Sequence, residues 1–166
     1  MNQWTPDFHI VRIAEVKGEG SSINNSINPS LLEHISNNLP KITNNVNNIV
    51  DYVSNEKPFD LSLLNRLTEL SKSVTYIDTE ELLTFDSASR DLYKKYIRGI
   101  GKILEALDIL LILIAEENGF GQEAFERVKD RIGENEVSLT AAINNLFNGS
   151  KLIASVVEDA TEEKDE

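Results

Sequence analysis

The sequence predicts an all-α fold: a bundle of five to six helices with one long central helix and an extended or β-like N-terminal arm. Three observations carry that expectation. From Lys41 onward, apolar residues recur at three- and four-residue spacing, the mark of helices with one buried face. Asn28-Pro29, Asp60, Asp86 and Asn118-Gly119 stand where helix caps and stops belong. Strand-like alternation of β-branched residues is strong only over residues 8–16 (FHIVRIAEV), with residues 73–77 (SVTYI) the nearest other candidate. At 166 residues the chain is long enough to bury a core without a metal or disulfide, because domains near 150 residues bury about 70% of their unfolded surface.

Residues 1–28 divide into the arm and a connector, residues 17–28 (KGEGSSINNSIN), rich in Gly, Ser and Asn. Asn28 followed by Pro29 is an N-cap with proline at the first helical position, opening a helix to Leu39. Pro40 lacks an amide hydrogen, and the helix is expected to stop or kink there. Beyond it Ile42, Val46, Ile49, Val50 and Val53 trace one stripe, opposite Asn44, Asn45, Asn47 and Asn48. Asparagine competes for backbone hydrogen bonds, so packing must hold this helix. Pro58 breaks the chain, Asp60 caps, and Leu61, Leu64, Leu67, Leu70 and Val74 mark the next helix; Thr79 opens a short acidic turn (TEELL).

The longest helix starts at Asp86 or Ser87 and ends at Asn118-Gly119, giving about 48 Å at 1.5 Å per residue. Its expected core stripe is Ile97, Ile100, Leu104, Leu107, Leu111 and Ile114. After Asp108 it becomes apolar on every side, which suits a helix central to the fold or one at an interface; Ile109, Ile112 and Leu113 are the candidate interface residues. Phe125, Val128 and Ile132 mark a shorter helix ending at Gly133, and Ser138 caps a last one carrying Leu139, Ile143, Leu146, Phe147, Ile153 and Val157. The bundle domain is therefore expected over residues 29–157, with residues 158–166 (EDATEEKDE) as an unpacked acidic tail.

Composition narrows the chemistry. The absence of cysteine excludes thiol catalysis, thiolate metal sites and a disulfide framework. A net charge of −12 opposes direct binding to nucleic acid or to an anionic membrane. The most apolar stretch, residues 103–115, includes Glu105 and Asp108 and falls short of the roughly 20 apolar residues a membrane span needs. Residues 1–10 have neither a basic n-region nor an apolar run after it, so no secretory leader is expected and a cytoplasmic location is.

One string looks catalytic. Pro6-Asp7 followed by Glu15-Val16-Lys17 resembles the PD-(D/E)xK nuclease signature, which would imply a divalent metal held by Asp7 and Glu15 with Lys17 assisting water. The resemblance stops at geometry. Residues 8–14 contain no turn former, and along one strand Asp7 and Glu15 stand about 26 Å apart. Glu105 and Asp108 share a helix face, yet a hydrogen bond to a basic residue of another helix accounts for them more simply than catalysis. His9 and His34 read as ordinary surface or core residues. Gly99-Ile100-Gly101 lies inside a helix, where small residues permit close packing and cannot cradle phosphate. No catalytic residue, metal ligand or cofactor is expected.

These readings lead to a non-enzymatic protein-interaction module, an assembly subunit, adaptor or dedicated inhibitor, whose partner is another protein or a second copy of itself. Its arm, with Phe8, Ile10, Val11 and Ile13, is the expected recognition strand. A row at perfect i+4 spacing, Arg90, Lys94, Arg98 and Lys102, is the expected dock for an acidic segment. The alternative is an acidic inhibitor or immunity protein acting by charge mimicry, since residues 116–166 hold 13 acids against 5 bases.

Overall fold

The computed structural model describes residues 27–162. Among these the protein is helical throughout, with six helices and no strand. We label them α1 (Pro29–Ser54), α2 (Leu61–Ser73), α3 (Thr79–Leu82), α4 (Ser87–Glu117), α5 (Gly121–Ile132) and α6 (Leu139–Glu162). The arm, residues 1–26, lies outside the described residues, and so does its expected recognition strand.

The caps are the ones the sequence offers. Asn28 Oδ1 accepts from the Ser30 amide at 2.8 Å, Asp60 from Ser62 at 2.9 Å, Asp86 from Ser89 at 2.8 Å and Ser138 Oγ from Ala141 at 3.1 Å. Each satisfies one of the orphan amides of a first turn. Hydrogen bonds from the Ser89 amide and hydroxyl hold the Asp86 carboxyl below its ordinary range. Gly119 (φ 85°) and Gly133 (φ 60°) supply the left-handed backbone on which α4 and α5 end.

Pro40 neither stops nor divides α1, which runs continuously from Pro29 to Ser54. A proline in a helix interior costs about 3 kcal/mol. The burial of Leu31, Ile35, Leu39, Ile42, Val46, Ile49 and Val53 along one face outweighs that penalty. The asparagine face also differs from expectation. Asn47 is buried, as is Asn38, whose Nδ2 donates to Thr75 Oγ1 at 2.7 Å and to the His34 carbonyl at 2.8 Å.

Helix α2 returns antiparallel along α1, tied by Tyr52 Oη donating to the Pro58 carbonyl at 2.7 Å and by Arg66, which reaches Asn48 and lies over the Tyr52 ring. The extended stretch after α2 is held by tyrosines of α4. Tyr96 Oη donates to the Thr75 carbonyl at 2.7 Å, and Tyr93 Oη accepts from the Ile77 amide at 3.2 Å. Helix α5 folds back over the C-terminal half of α4, and α6 lies antiparallel along the rest, between α4 and α1.

The tightest crossing is between α4 and α6. A Cβ at Gly99 would stand 2.7 Å from the Gly149 carbonyl oxygen, and one at Gly149 would stand 2.6 Å from that of Gly99. Gly99 therefore does the packing work expected of it, while Gly101, with nothing within 4 Å of such a Cβ, does not. The bundle also extends past residue 157: α6 continues to Glu162, with Ala160 buried and Asp159 paired to Lys95 at 2.7 Å. The first part of the expected acidic tail is thus packed helix. No helix is long and apolar enough to cross a membrane among the described residues.

Candidate functional site

The long helix settles in a different rotation from the one its leucines suggest. Its buried apolar residues are Tyr96, Ile100, Ile103, Ala106, Leu107, Ile109, Leu110 and Ile112, with Gly99 beside them; of the expected stripe, Ile100 and Leu107 lie in the core. Ile97, Leu104 and Ile114, expected in the core, are only half-buried, and Leu111 is 38% exposed. A small residue decides this. Gly99 lets α6 come close, and that contact outweighs the larger but more distant burial a leucine face would give. Helix α2 has turned likewise: Leu63, Leu67, Leu70 and Ser73 face inward, Leu64 is half-buried and Leu61 exposed.

The leucines left over face one another across a gap. Helices α1, α2, α4 and α6 form a ring in which three neighbouring pairs are in close contact and the fourth, α2 against α4, is not. Between them runs a groove of about 700 Å³. One wall is Leu64, Leu67, Thr68 and Ser71; the other is Gly101, Leu104, Glu105, Leu107, Asp108 and Leu111, with Arg131 of α5 at the rim. Its lining is mainly apolar with a few charged groups, the usual make-up of a binding cleft.

The charged groups in the groove are already partnered. Arg131 grips Asp108 with Nε to Oδ2 at 3.0 Å and Nη2 to Oδ1 at 3.1 Å, and this contact raises the guanidinium pKa. Asn135 Nδ2 donates to Glu105 Oε1 at 2.9 Å, and Asn145 donates on to Asn135 at 3.0 Å. The expected hydrogen bond to a basic residue of another helix is what Asp108 makes. Such a fork fixes the position of the carboxylate and engages one lone pair on each of its oxygens. No group of three or more acidic or histidine side chains is placed to hold a metal ion among the described residues. His34 stands with Nε2 3.0 Å from Thr75 Oγ1 and its ring edge-on to Tyr96, a packed residue of the core margin.

Of the residues singled out from sequence, the basic row is well exposed at Arg90, Lys94 and Arg98 and half-buried at Lys102. Arg90 donates to the Leu83 carbonyl at 3.3 Å, while Lys94, Arg98 and Lys102 have no ion pair among the described residues. The row is not separate from the groove. Lys94 and Gly101 are two helical turns apart, as are Arg98 and Glu105, so the cations continue the groove face toward the start of α4. Ile109 and Ile112 must be corrected: both are buried inside the chain, because α5 folds back over this end of α4. Leu113 is half-buried and borders a shallow cleft of about 210 Å³ with Phe59, Glu116 and Glu117. The α2 wall went unnoticed because Leu64 and Leu67 look like any other core leucines in one dimension. Comparison with protein-family models, curated proteins and solved structures finds nothing that matches this chain.

Proposed function

We propose that the protein is a non-enzymatic interaction module whose recognition surface is the α2–α4 groove, with Arg90, Lys94 and Arg98 as its charged end. The observation that carries this reading is the open side of the bundle, where Leu64, Leu104 and Leu111 line a 700 Å³ groove. An amphipathic segment with apolar residues for the groove and acids for the basic end fits that track. The groove's carboxylates support it too, since Asp108 is tied to Arg131 of α5 and Glu105 to Asn135 of the α5–α6 loop.

The test is capture of a partner from the native host by intact protein and by a Leu104→Glu, Leu111→Glu variant. Partial exposure of both positions lets the variant fold, which circular dichroism checks. Loss of one defined partner from the variant alone is the expected result, and equal capture by both proteins overturns the reading. Salt separates it from charge mimicry, which screening weakens steeply, whereas apolar docking changes little.

A further inference from the structure

We infer that in the free protein the α2–α4 groove is filled by the chain's own N-terminal arm, residues 8–13, which a partner must displace. The first part of the argument is where the described chain begins. Ile27 is buried, and the Asn28 amide donates at 2.8 Å to Ser89 Oγ in the first turn of α4. The arm therefore starts at the N-terminal end of the helix that forms one groove wall. Gly101, the near end of the groove, is about 18 Å along α4 from Ser89 at 1.5 Å per residue.

The connector spans that distance without strain. Between Ile13 and Ile27 the sequence is rich in Gly, Ser and Asn, and a flexible chain of that length has an r.m.s. end-to-end distance of about 20 Å. From Gly101 to Leu111 the groove runs about 15 Å, and residues 8–13 in extended form cover about 17 Å. Charge agrees with the direction of travel. Glu19 and Glu15, with Lys17 between them, come first and bring a net negative stretch past Arg90, Lys94 and Arg98; Arg12 then arrives at the Glu105 end, and the apolar residues enter among the leucines. At the millimolar effective concentration of a short tether, even a weak contact of this kind is populated. A partner for the groove then competes with the arm, and the arm sets its apparent affinity.

The chain has no cysteine and one tryptophan, Trp4, next to the arm, which makes both readouts clean. In full-length protein, Val11→Cys or Ile10→Cys is combined with Leu104→Cys and, as a control, with Asp51→Cys on the exposed face of α1. Oxidation at micromolar concentration is expected to give a disulfide at monomer mass for the groove pair and not for the control. A product at dimer mass, equal cross-linking of the control, or no cross-link overturns the inference. Because a cysteine could itself disturb docking, Trp4 emission is also read in the otherwise unaltered chain and in Leu111→Lys. A red shift and faster quenching in the variant are expected, and identical spectra overturn the inference. The inference rests on the groove as a docking surface, but it fails independently. If the arm does not cross-link while the glutamate variant still loses its partner, only the arm assignment falls. If the arm cross-links and partner capture ignores the groove, only the proposed function falls.

Discussion

At the scale of single residues, two glycines two positions apart in α4 give opposite expectations. Gly99→Ala forces a Cβ to within 2.7 Å of a backbone oxygen and 2.8 Å of Ile153, so it is expected to destabilise by about 1–3 kcal/mol. Gly101→Ala meets nothing within 4 Å and is expected to stabilise by about 0.5–1 kcal/mol through reduced freedom of the unfolded chain. Urea unfolding of the two variants checks both signs at once. Tyr96 offers a pH test. Burial pushes its phenol from 10.0 up to about 12, so the folded state favours the protonated form. That preference is fully present below pH 10 and is lost as pH rises through 12, by about 2–3 kcal/mol. The stability gap between native protein and Tyr96→Phe should therefore shrink over that window. Below it the variant is less stable by about 1–2 kcal/mol, since the Thr75 carbonyl loses its donor. A gap independent of pH between 10 and 12 rejects this account.

At the scale of elements, Pro40 is the informative exception. It sits inside a continuous α1, leaving the Ser36 carbonyl without its usual intrahelical donor. Pro40→Ala should raise stability by about 1–3 kcal/mol, read as a higher denaturation midpoint. An unchanged midpoint would mean that the surrounding helices already absorb the defect. Element boundaries were legible in the sequence because they are set by local chemistry: the Asn28, Asp60, Asp86 and Ser138 caps, the break at Pro58, the stops at Gly119 and Gly133. What was not legible is rotation. Helix α4 is apolar over so much of its surface that periodicity does not select a face, and the deciding contact, Gly99 against Gly149, joins residues 50 positions apart. The groove inherits that illegibility. Leu64, Leu104 and Leu111 were read as core because sequence carries the period of a stripe but not the distance to the helix opposite.

At the scale of the whole molecule, the described residues have their own core, drawn from all five of the longer helices. A fragment spanning residues 27–162 is therefore expected to fold alone, with the helical circular dichroism of the intact chain. Loss of its cooperative melt would show that residues 1–26 are part of the core. The expected extended arm plus helical bundle thus stands at its coarser level, a six-helix domain among the described residues, with the charge excess carried on a scaffold that already pairs Asp108 and Asp159 internally.

The open side of the ring has a kinetic corollary. Helix α2 is fastened along α1 but scarcely to α4, so it can detach without disturbing the close-packed α4–α6 pair. Its backbone amides should trade protons for deuterons well before those around Gly99 and Gly149. A ligand wedged against Leu64 and Leu67 would slow that exchange first, making α2 the place where occupancy can be timed.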